Sequence, residues 1–272
     1  MKNFVLGDPA LRPLAELAVF VELDFDKPEN AAFVAKHGVH VLPTYLVVDP
    51  ATDEVAGTWV GSGTSRELRA MIEVAAGGAD GPSPTSPAAK AKDAYRRACR
   101  ARARGDANET ATQFAIAVEQ APADFALKSE AILGLMMANA SLKRPDACVK
   151  VASKWGGEVR GSSIPSDFAI TLLDCAEKLP ADQRAAPRAD AIARLRAFID
   201  HPPEGASVDD RGDACSTLAS TLEDAGDAPG ARAIREKWLA MLDEAQKKAA
   251  ELAQGEMGKL TGGLNLPFKL PF

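Results

Sequence analysis

Cysteine is scarce in this chain, and none precedes Cys99. The four cysteines, Cys99, Cys148, Cys175 and Cys215, lie far apart, so no Cys-x-x-Cys and no pair at metal-ligand spacing exists. Each falls in an alanine-rich helical stretch and reads as a small buried apolar residue. In a domain of this size a disulfide framework is not expected. Histidine is rarer still: His37, His40 and His201 have no partners at metal spacing and read as surface or turn residues. Aromatics make up only 6% of the chain. With abundant alanine, that argues for helices packed through small side chains and against a β-sandwich.

Other absences narrow the function. No apolar run approaches the ~20 residues a membrane-spanning helix needs. The first residues, MKNFVLGDPALRPL, lack an apolar core segment and meet Gly7, Asp8 and Pro9 at once, unlike a signal peptide. A basic surface is missing too: net charge is −6 and the pI about 5.3, which argues against nucleic acid as the main partner. No phosphate loop, nucleophile elbow, acid/base pair or metal cluster stands out, so no cofactor and no other enzyme class is expected.

What is present divides in two. At 272 residues the chain is long enough for about two domains. From Ala18 to Asp26, AVFVELDFD places Val19, Val21, Leu23 and Phe25 on one parity, which predicts a strand. KPEN and AAFVAKHG predict a short helix with Gly38 as its stop. TYLVV after Pro43 predicts a strand, DPATD a turn and EVAGTWVG a hairpin partner. TSRELRAMIEVAA opens on a Ser/Thr cap and carries Leu68, Met71, Ile72 and Ala75 at helical spacing. Pro43 at the mouth of a strand reads either as an ordinary trans-proline at a strand start or as a cis-proline in a tight turn.

The run from about Lys2 to Ala76 resembles the C-terminal two-thirds of a thioredoxin domain. The residues that carry the resemblance are Asp24-Phe25-Asp26, Asn30, Lys36-His37-Gly38-Val39 and Pro43-Thr44. It implies a cis peptide at Leu42–Pro43. It also implies a substrate-peptide site at Val41, Leu42, Pro43 and Thr44, with the backbone of Val41 and Leu42 open to the peptide. The chain departs from that family in lacking the Cys-x-x-Cys at the start of a helix, where the helix N-terminus would stabilise a thiolate. MKNFVLGDPALRPLAEL would be the remainder of that helix. The central strand before the motif is likewise missing, leaving a gap of roughly 10 Å in the sheet. Two causes are consistent with this: an incomplete chain, or a redox-dead remnant. As given, residues 1–272 hold no dithiol catalyst and no catalytic residue is assigned.

Gly77 to Lys90, GGADGPSPTSPAAK, reads as a flexible linker between a partial thioredoxin-like unit (1–76) and an all-α region (91–249). In that region turn signals recur at Gly105-Asp106-Ala107, Lys143-Arg144-Pro145-Asp146, Pro180 to Pro187 and Gly226-Asp227-Ala228-Pro229, each flanked by helical patterns. The spacing of about forty residues predicts stacked helical hairpins, which resemble degenerate tetratricopeptide (TPR) units longer than that repeat's ~34-residue norm. The expected fold class is therefore an α/β thioredoxin-like N-terminal domain followed by an all-α, TPR-like helical-hairpin domain. Arg96, Arg97, Arg100, Arg102 and Arg104 read as a solvated helix face, with an anionic partner as the alternative.

The last stretch, 250–272, ends in GGLNLPFKLPF. It reads as an apolar docking tail, packed on the helices or on a second chain, because Leu264, Leu266, Phe268, Leu270 and Phe272 would otherwise form an exposed patch. It resembles the C-terminal tail of a family of small bacterial nucleoid-associated proteins, and DNA association through it is opposed by the acidic pI. The functional expectations are two. One is a thioredoxin-family thiol–disulfide oxidoreductase whose Cys-x-x-Cys lies upstream of Met1, joined to a helical protein-binding module. The other is a redox-inactive adaptor that binds a protein or peptide partner. The chain as written reads as cytoplasmic, and as exported or periplasmic if a segment precedes it.

Overall fold

The computed structural model describes residues 8–77 and 85–261, with the side chains of 253–261 left aside. The N-terminal part opens with a 3₁₀ helix, Pro9–Glu16. Asp8 caps it, accepting from the Ala10 N–H at 2.8 Å. Pro9 and Pro13 cannot donate, which keeps the segment to short 3₁₀ turns. Its Leu11 and Leu14 are buried.

Residues 18–26 form no strand, contrary to the alternation in AVFVELDFD. A strand exists by pairing, and among the described residues no strand lies beside this one. The alternation is real, but its apolar side chains are left outside: Val19 is 89% exposed and Val21 73%.

A short helix α1, Ala31–Lys36, follows and ends at Gly38 with φ +61°. Then come β1, Thr44–Asp49, and β2, Glu54–Val60, as an antiparallel hairpin with Tyr45 opposite Trp59 and Val47 opposite Gly57. The register slips at Val47/Val48, where Val48 faces Val55. Helix α2, Ser65–Ala76, covers the hairpin. Gly57 makes the close approach work, since a Cβ there would lie 3.1 Å from Ala75 Cβ and 3.2 Å from Met71 Cγ.

Residues 78–84, the middle of the expected linker, lie outside the described residues. Beyond them Ser86 caps α3, Pro87–Ala103, which packs on β2. The hydrophobic cluster therefore runs without a break from Leu11, Trp59 and Leu68 into the helical part.

The rest is helical, as the turn signals predict. Helix α3 pairs with α4 (Ala107–Gln120), α5 (Lys128–Ser141) with α6 (Pro145–Trp155), α7 (Ile164–Glu177) with α8 (Ala185–Asp200), and α9 (Val208–Asp224) with α10 (Ala228–Thr261). The four turn signals fall in the four turns inside these hairpins, with Gly105 and Gly226 at positive φ. Helices α5, α7 and α9 also touch in sequence, so they form one row. Fully buried alanines such as Ala98, Ala117, Ala131 and Ala191 let the helices approach closely. The last helix continues to Thr261, beyond the 249 boundary read from sequence, and 262–272 lie outside the described residues.

Two expectations are corrected here. Cys148 and Cys175 are bonded to each other, joining α6 to α7 across 27 residues. Both are fully buried, as a small apolar cysteine would be. What the spacing did not reveal is that the two helices lie side by side with the thiols on the shared face. The arginine run is a solvated face only in part: Arg97 and Arg104 are exposed, but the others are not. Arg96 is buried and donates to the carbonyls of Val74 and Gly77 at 3.2 and 3.4 Å. Arg100 and Arg104 pair with Glu54, and Arg102 with Glu130 at 3.4 Å. These arginines fasten α3 to the N-terminal part and to α5.

Candidate polypeptide-docking surface

The residues singled out from sequence sit together where the loop after α1 enters β1. The Leu42–Pro43 peptide is cis. Val41 and Leu42 are 55% and 61% exposed, and Thr44 opens β1, its hydroxyl donating back to the Val41 carbonyl. The Pro43 carbonyl accepts from Gly61 N–H at 2.8 Å, which ties this loop to the end of β2. Val41–Leu42 is thus an apolar, open step leading straight into a strand.

That strand has a partner on one side only. The Pro43 carbonyl turns toward β2, and at the other end the Asp49 carbonyl accepts from Asp53 N–H at 2.8 Å on the same side. Residues alternate along a strand, so Thr44, Leu46 and Val48 turn their backbone groups to the opposite edge. Among the described residues no further strand lies along that edge. A free edge of this kind is a template for an added strand.

Below the loop, the turn that follows β2 is held by the helical part. Trp59 is buried, and its indole N–H donates to the Ser62 carbonyl at 3.0 Å. Ser163 Oγ donates to the same carbonyl, also at 3.0 Å. Ser62 Oγ donates to Asp210, the capping-box acid of α9. Glu67, the capping-box acid of α2, accepts from Thr64 and from both the N–H and the hydroxyl of Ser162. Gly161, at φ +125°, would place a Cβ 2.8 Å from Glu67 Oε1. Gly205, at φ +83°, would drive one into Thr64. The turn after β2 and the start of α2 are therefore clamped to the starts of α7 and α9. Sequence reading saw the cap at Thr64 but not this cross-link. Its only trace is the repeated Gly-Ser at 61–62 and 161–162, with Gly-Ala-Ser at 205–207.

Asp167, in the first turn of α7, is partly buried beside this junction. Burial, then the charges of Asp210, Glu130 and Asp213, pushes its carboxyl up to about 7. His37 lies in a turn, one of the two settings expected, but is buried and not at the surface: its ring stacks obliquely on Phe33 at 4.4 Å and lies 3.9 Å from Asp53. Burial, then the neighbouring Lys36 charge, holds its pKa below the ordinary histidine value. His201 is exposed at the end of α8, beside a shallow cavity lined by Val159, Phe168, Arg194 and Phe198. The two free thiols, Cys99 and Cys215, are buried, and burial raises both pKa values. Among the described residues no acidic, histidine or cysteine group could hold a metal, and no helix is long and apolar enough to cross a membrane.

Comparison with known proteins adds little. No family model matches the chain, and no solved structure matches it. A nucleoid-associated protein of Gemmatimonas aurantiaca is 69% identical over 29 residues, which is 11% of this chain. The match spans 28% of that relative's length.

Proposed function

We infer that this chain is a thioredoxin-like unit carried on TPR-like helical hairpins, and that it binds an extended stretch of polypeptide. One observation carries the reading: the exposed Val41–Leu42 step runs directly into a strand whose outer edge has no further strand beside it among the described residues. An extended peptide laid there would gain backbone hydrogen bonds from Leu46 and Val48 and apolar contact from Val41 and Leu42. Further support comes from the clamp of Ser62, Ser163, Glu67 and Asp210, which holds the surface in place on the helices and so lowers the ordering cost of binding.

The dithiol reading needs a Cys-x-x-Cys outside these 272 residues. None of the four cysteines here substitutes for one. Two are bonded to each other and the others are buried thiols whose pKa values are raised, the opposite of a reactive thiolate. The 29-residue likeness supplies no basic surface to a chain of net charge −6, so nucleic acid is not the partner proposed.

The test is fluorescence anisotropy with a fluorescein-labelled decapeptide of alternating valine and threonine. Binding to the full chain is expected, weakened at least tenfold by Leu42→Asp and unchanged by Met137→Asp, an exposed apolar control on α5. Equal binding by all three proteins would sink the reading.

A further inference from the structure

We propose that residues 18–24 are a second polypeptide-binding edge, separate from β1, and that the partner they fit is an extended chain of alternating apolar and basic residues. The segment shares no residue with the β1 edge, so this site does not depend on the one proposed above.

Residues 18–24 belong to no helix, strand or turn. Val19 and Val21 are the two most exposed large apolar side chains among the described residues, and Phe20 and Leu23 are exposed beside them. Single exposed apolar residues are ordinary, but four of them within residues 19–23 make a continuous patch, and such patches mark interaction sites. Their order adds a geometry. Val19, Val21 and Leu23 fall on one parity; Phe20, Glu22 and Asp24 fall on the other. A period of two is the pattern of a strand with one apolar face. Seven residues reach about 23 Å when extended, the length of an ordinary strand. None of them is proline, so each has a backbone N–H to offer a neighbour. Among the described residues no strand lies beside them.

Both ends of the segment are fastened. The Ala18 N–H donates to the Leu14 carbonyl at 2.9 Å, and Ala18 packs against the core to which Leu14 belongs. At the other end the Asp24 carbonyl accepts from Asn30 Nδ2 at 2.7 Å, and Asp24 Oδ1 accepts from the Asp26 N–H at 3.1 Å. A partner therefore meets a stretch anchored on both sides, which reduces the ordering cost of pairing.

Charge selects the occupant. Side chains directly opposite each other in a pair of strands lie about 5 Å apart. Apolar partner residues suit Val19, Val21 and Leu23. Lysine or arginine suits Glu22 and Asp24, and a cation can also sit over the Phe20 ring. A second copy of the segment is the wrong occupant on the same ground. It would gather two Glu22 and two Asp24 side chains on one face, and residues 18–24 contain no basic residue to separate them. The chain's net charge of −6 adds long-range attraction for a basic partner.

The test is fluorescence anisotropy on the full chain with two fluorescein-labelled decapeptides, one alternating valine and lysine, the other valine and glutamate. Val21→Asp strikes the proposed edge and Leu42→Asp strikes the β1 step; both positions are exposed, so the fold tolerates the changes. The valine–lysine peptide is expected to bind at least tenfold more tightly than the valine–glutamate peptide. Val21→Asp should weaken it at least tenfold and Leu42→Asp less than twofold. Each variant makes the chain more acidic, so unspecific attraction would strengthen binding in both. Absence of binding, equal affinity for the two peptides, or equal binding by the three proteins overturns the proposal. So does a dimer of the unaltered chain that light scattering finds abolished in Val21→Asp, which would assign the edge to a second copy. Weakening by Leu42→Asp alone also overturns it, because the peptide would then lie at β1 and the earlier reading would stand. Weakening by Val21→Asp alone, with the valine–threonine peptide bound by none of the proteins, removes the β1 site and leaves this one.

Discussion

Glu67 accepts two hydrogen bonds from Ser162, one from its N–H at 2.8 Å and one from its hydroxyl at 2.7 Å, across 95 residues of chain. The same carboxylate caps its own helix through Thr64. One side chain thus does local work for α2 and long-range work between the N-terminal part and α7.

Removing it tests both roles. Glu67→Ala should cost on the order of 2–4 kcal/mol, a lost cap plus charge-assisted bonds to partly buried groups. Thr64→Ala removes only the cap side and should cost about 1 kcal/mol. Denaturant unfolding of Glu67→Ala, Ser162→Ala and the double variant gives the coupling between the two residues. A coupling of about 0.5 kcal/mol or more is expected for groups in one network; additivity would show that the link contributes nothing.

Gly134, inside α5, is a test of packing against propensity. Replacing a helical glycine with alanine ordinarily gains about 1 kcal/mol. Here a Cβ would lie 2.5 Å from Phe114 Cε2, and Phe114 is fully buried with its edge against the Tyr95 ring at 5.8 Å. The ring has nowhere to move. Overpacking of about 1–3 kcal/mol should win, so Gly134→Ala is expected to lower the Tm by a few degrees. A raised Tm would mean that Phe114 shifts without resistance.

The bond between Cys148 and Cys175 predicts a thiol count. Unfolded without reductant, the protein should show two reactive thiols, Cys99 and Cys215, and four after reduction. Closing a loop of this length stabilises a fold by about 3.5 kcal/mol in the chain-entropy picture, so reduction should lower unfolding stability by roughly that amount. Four reactive thiols before reduction would remove the bond from the account.

Much of this fold is written in local signals. The hairpin follows from TYLVV and EVAGTWVG, α2 from its cap and the spacing of Leu68, Met71 and Ile72, and the four intra-hairpin turns from Gly, Pro and Asp clusters. What was not legible is what depends on a neighbour. AVFVELDFD has strand periodicity and no strand to lie against. The arginines of α3 look like a solvated stripe until Glu54 and Glu130 arrive from elsewhere in the chain. His37 sits in a turn as read, but its burial depends on Phe33 closing over it. The Ser62–Asp210 link spans 148 residues, and only the Gly-Ser at 61–62 and the Gly-Ala-Ser at 205–207 lie near its two ends as a trace.

Asp167 shows the same dependence in its titration, and it gives the last prediction. An ordinary aspartate has its pKa near 3.8; here burial first, then the carboxylates of Asp210, Glu130 and Asp213, raise it to about 7. The start of a helix would favour its charge, but burial and like charges outweigh the dipole. The folded protein therefore holds a proton that the unfolded chain releases. Stability must fall as pH rises from about 4 to about 7 and level off above. Asp167→Asn keeps the shape and removes the titration. It should flatten that part of the stability–pH profile and be more stable than the unaltered chain at pH 8, while matching it at pH 4. Two profiles that run parallel from pH 4 to pH 8 would mean that Asp167 ionises as an ordinary carboxylate. In that case the junction at the start of α7 is wetter than its packing indicates.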